Sequence, residues 1–346
     1  MNMSIRQQLE AHEQAWLSPK ASFSAATKGR EKPINPCDLR TEFQRDRDRI
    51  TYSRAFSRLR RKTQVLISPH GDHYRTRLTH TLEVSQIART IARALRLNED
   101  LVEAIAMGHD LGHCPFGHTG EYALNSLYPR GFYHSYQSVR IVQCLERGGE
   151  GLNLTYEVRD GILKHSKSYT RIIADDLNAM PETLEGQIVR IADSLAYINH
   201  DIDDGIQGGI LKQEDLPREL LDVLGHTLGE RVGRMVQGVI SETQRVNLER
   251  VVMCPDLLEP TEALRKFLFD NFYLTPTVNR EADKSRRIVI ELYEYFLEHP
   301  GQMDIRLFGL VPHDDLPQLV CDYIACMTDD FALETYIQAF VPKRIA

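Results

Sequence analysis

Between Leu78 and Leu97 the apolar residues Leu82, Val84, Ile87, Ile91 and Leu95 recur at helical spacing, which predicts an amphipathic helix. His80 continues this stripe one turn before Val84, so its imidazole faces inward. Leu101 to Met107, LVEAIAM, is apolar with Glu103 its only charge, and predicts a buried helix ending at His109 and Asp110. Gly108 and Gly112 bracket that end. Adjacent helical side chains point roughly 100° apart, so both can reach one ion only where the backbone turns. A further helix is predicted over Ile188 to Asp204: Ile188, Ile191, Ala192, Leu195 and Ile198 form its packing stripe, and Asp193, Tyr197 and Asp201 lie four apart on the neighbouring stripe. From about residue 210 the helical pattern persists, as in Glu262 to Phe269 and Arg287 to Leu297, with breaks at Gly225, Pro255, Pro276 and Pro300. No alternation suggests a sheet, and there is no repeat or glycine-rich phosphate loop, so the expected fold class is all-α.

The remaining stretches are less regular. Residues 1 to 37 are polar, carry prolines at 19, 33 and 36, and read as an arm with one short helix, mobile or draped over the surface. A helix is expected from near Asp38 through the basic segment, and ISPHGDHYRT, between Val65 and Thr76, reads as a loop or short hairpin.

Composition narrows the class. With 346 residues, 42% of them hydrophobic, the chain can bury a large core, while no apolar run approaches the roughly 18 residues of a membrane span. A cytoplasmic protein with no membrane partner is expected. The six cysteines form no CxxC pair, which argues for reduced thiols over a zinc knuckle or disulfide framework. A net charge of -7 disfavours a general nucleic-acid binder. Arg45, Arg47, Arg49, Arg54, Arg58, Arg60, Arg61 and Lys62 nevertheless cluster, and either meet something anionic or form a solvated helix face.

The chemistry concentrates in His109 to Glu121, HDLGHCPFGHTGE, where three histidines, an aspartate and a glutamate share one short span with Gly112, Pro115 and Gly117. A lone inward histidine such as His80 is more often a satisfied core residue than a ligand, but Arg77, three residues earlier, would project beside it. Asp193, set among alanine and isoleucine, is costly to bury unless something positive meets it. His80, His109, Asp110 and Asp193 together make a mixed nitrogen and oxygen set suited to a divalent ion such as Mg, Mn, Fe, Co, Ni or Zn. His118 and Glu121, three residues apart, can pair so that the carboxylate orients the imidazole for acid–base work. His113, Arg77 and His134, the last at the start of the helix opened by GFYHSYQSVRIVQC, could neutralise phosphate charge. Arg45, Arg60, His70, His73, His165 and His200 read as surface or structural residues.

The order His80, His109-Asp110, Asp193 resembles the HD superfamily of metal-dependent phosphohydrolases. The words FQRDRDRITYSRAF, KTQV, RTRLTHTLEVSQIAR, HDLGHCPFGHTGE and ADSLAYINHDIDD narrow this to the bacterial dGTPase-like deoxynucleoside triphosphate triphosphohydrolases, most strongly over residues 38 to 205. The resemblance implies an all-helical HD-domain fold with additional C-terminal helices: an arm over 1–37, an HD core over 38–210 and helices over 211–346 packed on it. It implies hydrolysis of a dNTP to deoxynucleoside and triphosphate. It places His80, His109, Asp110 and Asp193 as metal ligands and His118 with Glu121 as the catalytic pair. Arg77, His113, His134, Tyr197 and Asp201 fall where relatives contact phosphates or sugar, and Gln64 falls where they read the 3′-hydroxyl. A homo-oligomer with a nucleotide effector is the associated expectation. The chain departs from the pattern at Cys114, in place of a proline, at Ser194, where many relatives carry a basic residue, and at Tyr52-Ser53, where relatives commonly show His-Ser. No metal ligand is lost.

Two other readings compete. One is an HD phosphohydrolase acting on a nucleoside monophosphate, a cyclic nucleotide or guanosine tetraphosphate. The other is a protein that binds dNTPs or, weakly, single-stranded nucleic acid through residues 45 to 62, with little turnover.

Overall fold

Helix punctuation in the sequence sets the order of elements. The computed structural model describes residues 3–66, 74–166, 172–173, 179–311 and 315–342. Those residues form fifteen α-helices and no strand, in accord with the all-α expectation, with only the isolated bridges Arg30 to Thr155 and Thr63 to Thr76. In chain order the helices are α1 (Ile5–Trp16), α2 (Glu42–Thr51), α3 (Arg54–Arg58), α4 (Arg77–Leu95), α5 (Glu99–Gly108), α6 (Gly117–Leu127), α7 (His134–Arg140) and α8 (Tyr156–Lys164). They continue as α9 (Leu184–Gln207), α10 (Arg218–Leu224), α11 (Leu228–Arg245), α12 (Pro255–Leu268), α13 (Pro276–Glu298), α14 (Leu316–Ala325) and α15 (Asp329–Phe340). Among the described residues no helix is long and apolar enough to cross a membrane. His70, His73 and most of the segment expected as a loop or hairpin lie outside the described residues.

The breaks have local causes. Gly225 ends α10 with φ 115°, and α12 and α13 each begin on a proline, whose missing N–H is no loss in a first turn. The helix expected from Asp38 through the basic segment is interrupted instead. Ser53, in extended backbone, accepts the Phe56 N–H at 3.1 Å and starts α3 as a separate helix, while Glu146 accepts the Ala55 N–H at 2.8 Å.

The chain divides into two compact units. The first comprises Met1–Thr51, His80–His109 and Asn153–Thr275. Its centre is α5, with Leu101, Val102, Ala104, Ile105 and Ala106 fully buried. Helices α2, α8 and α9 pack on it. Asn98 caps α5 by accepting the Asp100 and Leu101 N–H groups. A methyl group on Gly108 would lie 2.5 Å from Ile162, and one on Gly161 2.5 Å from Ile105, so each glycine receives the other helix's isoleucine. The N-terminal arm is tied down by carboxylates. Ser22 donates its N–H and hydroxyl to Glu185, each at 2.9 Å, Thr27 donates to Glu157 at 2.7 Å, and Arg30 pairs with Asp46 and Glu42.

The second unit comprises Tyr52–Thr79, Asp110–Leu152 and Pro276–Ala346. Helices α6 and α13 pack together, and Phe116, Leu124, Phe132, Leu292, Phe296, Tyr323 and Ile324 fill its core.

Part of the basic run is paired or buried. Arg45 pairs with Glu42 at 2.8 Å, Arg47 reaches Glu103 at 3.0 Å and Asp100 at 3.4 Å, and Lys62 is buried. These pairs reduce the charge available to a polyanion.

Candidate active site

In the first unit, His80 extends from α4 and is 1% exposed. Its Nδ1 lies 2.9 Å from Nε2 of His200, and its Nε2 lies 3.2 Å from an oxygen of Asp193 on α9. His109 follows the last residue of α5. Its Nδ1 donates to the Ala106 carbonyl at 2.6 Å, which satisfies one open carbonyl at the helix end and leaves the lone pair on Nε2. The His80 and His109 rings meet edge to face with centroids 5.5 Å apart. Asp110 is the next residue in the chain.

His165 and His200 read from the sequence as surface or structural residues, yet both are buried against this pair. The His165 ring lies 4.9 Å from that of His109 and its Nδ1 donates to the Ile162 carbonyl at 2.7 Å, repeating at the end of α8 the cap that His109 makes on α5. His200 sits two helical turns beyond Asp193, and that i, i+7 spacing was its only sequence signal. Asp201, next to it, lies 2.8 Å from His200 Nδ1 and accepts the Tyr273 hydroxyl. Burial, partly offset by Arg265, pushes the Tyr197 hydroxyl up, so this ring is a neutral phenol at physiological pH.

The donor set fits a divalent ion. His109 is fixed in the tautomer a metal needs, and His80 directs a ring nitrogen toward a carboxylate oxygen while its other nitrogen is held by His200. Imidazole and carboxylate donors together suit a borderline or hard divalent metal.

The second unit carries the other groups. Asp110 accepts from Arg77 at 2.7 Å and lies 3.2 Å from His113 Nε2. The Arg77 side chain is buried, and among the described residues its Nε and Nη2 have no hydrogen-bond partner; the same is true of His113 Nδ1 and the Gln64 side-chain oxygen. Glu121 on α6 lies 2.9 Å from Nδ1 of His118 and 2.9 Å from Nδ1 of His134, whose backbone N–H it also accepts at 2.8 Å. Burial raises the Glu121 carboxyl, but His134 and His118 outweigh it and hold it well below the usual carboxylate range. Burial lowers His134, but Glu121 outweighs it and raises the imidazole above its ordinary value. His113 is driven well below its ordinary value by burial, Arg77 and His134, and so stays neutral.

The His113, His118, Glu121 and His134 donor atoms lie close enough to hold a metal, but the rings argue otherwise. His113 and His134 stack with centroids 4.0 Å apart and planes 13° from parallel, so their in-plane lone pairs do not converge on one ion. The group holds one carboxylate between two imidazoles, with the His118 side chain 62% exposed.

Glycines make this packing possible. A Cβ on Gly112 would lie 2.3 Å from the His134 carbonyl oxygen, and one on Gly120 2.1 Å from that of Pro115. Because the obstructing atoms are backbone, Gly112→Ala and Gly120→Ala are each expected to destabilise the protein by about 1–3 kcal/mol or more, measured by chemical denaturation.

Comparison with known proteins gives the family. The HD domain family matches residues 77–198, and the phosphohydrolase-associated domain matches residues 251–338. The deoxyguanosinetriphosphate triphosphohydrolase-like protein of Caldanaerobacter subterraneus subsp. tengcongensis is 52% identical over 99% of this chain and 97% of its own. That of Desulfatibacillum aliphaticivorans is 49% identical over 98% and 99%. A crystal structure of a hypothetical protein from Aquifex aeolicus is 21% identical with a TM-score of 0.46, covering 86% of this chain and 68% of that one. The fold is that of an HD-domain phosphohydrolase. The chain belongs to the deoxyguanosinetriphosphate triphosphohydrolase-like family.

Proposed function

We propose that the protein hydrolyses deoxynucleoside triphosphates to the deoxynucleoside and inorganic triphosphate. The observation that carries this is the metal-fitting donor set of the first unit, in which the Ala106 carbonyl fixes the His109 tautomer and His80 turns a ring nitrogen toward Asp193. His80, His109, Asp110 and Asp193 would hold the divalent cation, with His200 orienting His80. The chemistry supplied by a bound cation is polarisation of a phosphoryl oxygen and acidification of water. Arg77 offers its buried N–H groups to the phosphates, and exchanging a missing hydrogen bond for a charge-assisted one favours the bound state; His113 is assigned beside them by its position in the family's words. Glu121 holds His118 by Nδ1, which presents Nε2 for proton transfer at the leaving 5′-oxygen. Gln64, Tyr197 and Asp201 are assigned to the sugar and phosphates by their positions in the family's words.

Incubation with each dNTP, singly and in mixtures, with Mg or Mn tests this reading. Triphosphate and deoxynucleoside should form with the native protein and not with Asp110→Ala. Turnover only in mixtures would place a nucleotide effector on the protein, and no turnover in any mixture would sink the reading. His200→Ala is expected to weaken Mn binding by roughly 10–100-fold in calorimetric titration, because ligand-orienting partners carry effects of that size. Unchanged affinity would remove His200 from the site.

A further inference from the structure

We propose that Asp329 and Lys62 are positioning residues that set the turn before the acid–base helix, a role resting on the reading of His118 and Glu121 as the catalytic pair. Phe116 and Gly117, immediately before His118, both adopt left-handed backbone, with φ of 63° and 58°. Such a conformation suits glycine, but in phenylalanine it persists only when surrounding contacts hold it.

The contacts come from two distant stretches of the second unit. Asp329, the first residue of α15 and 9% exposed, uses one carboxylate oxygen to accept the Phe116 N–H at 3.0 Å. Its other oxygen accepts the Thr63 N–H at 2.9 Å. Lys62, 2% exposed, donates its ammonium to the carbonyl of His113 and to that of Ala325, the last residue of α14, at 2.7 Å. The loop is therefore gripped at both ends, His113 and Phe116, by neighbouring residues 62 and 329. The same carboxylate fixes the residue before Gln64, the proposed reader of the 3′-hydroxyl. One buried anion thus sets the spacing between the group that transfers a proton and the group that recognises the sugar.

Burying a carboxylate and an ammonium is costly, and an apolar pair would stabilise a helical core as well. The polar pair instead gives direction to two backbone amides and two carbonyls, which an apolar pair cannot do.

The test uses full-length Asp329→Ala and Asp329→Asn. Amide exchange in peptides spanning 60–66 and 113–120 should accelerate at least about tenfold while the far-UV spectrum is retained, as expected when a single hydrogen bond is removed. Turnover of the preferred dNTP should fall on the order of 100-fold, the size expected for misplacing a catalytic group by about 1 Å. Preference for that dNTP over its 2′,3′-dideoxy analogue should also fall, which a smaller fraction of folded enzyme would not produce. Should Asp329→Ala fail to fold, Asp329→Asn, of the same size and with one acceptor left, is judged by the same results. Unchanged loop exchange, or accelerated exchange with unchanged turnover and 3′-hydroxyl preference, overturns the proposal. If the native protein turns over no dNTP, the proposed function fails, while the exchange measurement still decides whether Asp329 grips the loop.

Discussion

Asp193→Ala is expected to lower dNTP turnover on the order of 1,000-fold or more and to abolish the stabilisation of the protein by Mn. Metal catalysis supplies several kcal/mol of transition-state stabilisation, and each 1.36 kcal/mol is a factor of ten in rate. Asp193 lies 3.2 Å from the His80 ring nitrogen, so in the proposed ligand set its loss would remove one of two oxygen donors and leave Asp110 with two imidazoles to hold the ion. Linkage gives a readout independent of turnover. A ligand that binds only the folded state raises the melting temperature with its concentration, so the native protein should melt higher as Mn is added and Asp193→Ala should not. A mutant that still binds Mn with native affinity would show that Asp193 is not a ligand. Chelation of the native enzyme should reproduce the mutant's loss of activity, and added Mn should restore it.

Glu121→Gln is expected to lower kcat by roughly 100- to 10,000-fold, the range for removal of a positioned acid–base partner. Glu121 orients His118 and accepts from His134, so the amide disturbs both. The consequences for pH follow from the directions of shift. The carboxyl's folded pKa is depressed, so its contribution to stability is present above its unfolded value and is lost as pH falls through the folded one. His134 has the opposite sign: its contribution is complete below its unfolded pKa and is lost as pH rises through the raised folded value. In Glu121→Gln the main group raising His134 is gone while burial still lowers it, so the His134 imidazole should titrate at lower pH by NMR. Titration at or above the native position would contradict the pairing.

Much of this site was legible in the sequence because helical periodicity fixes orientation. His80 lies in line with Val84 and Ile87, which identifies it as inward-facing, and the apolar run Leu101 to Met107 places His109 at a helix end. What was not legible depends on chain segments distant in sequence. His200 and His165 had the residue type but no local cue to their partners, since the contacts with His80 and His109 bridge 120 and 56 positions. Asp329 lies 213 residues from the amide it accepts, and a carboxylate opening a helix reads as an ordinary first-turn acid. The break at Ser53 was missed for a local reason: its hydroxyl satisfies a helix-start N–H, which outweighs the helical continuity suggested by the arginines on either side. Gly108, read as bracketing the helix end, is the last residue of α5, and its lack of a side chain makes room for Ile162, a contact the sequence did not show.

In the proposed reaction water attacks the α-phosphorus, the bond to the 5′-oxygen breaks and the deoxynucleoside leaves. Hydrolysis of the preferred dNTP in ¹⁸O-labelled water, with the products separated and weighed by mass spectrometry, tests it most directly. One ¹⁸O is expected in the inorganic triphosphate and none in the deoxynucleoside. Label in the deoxynucleoside, or release of pyrophosphate with a deoxynucleoside monophosphate, would contradict it.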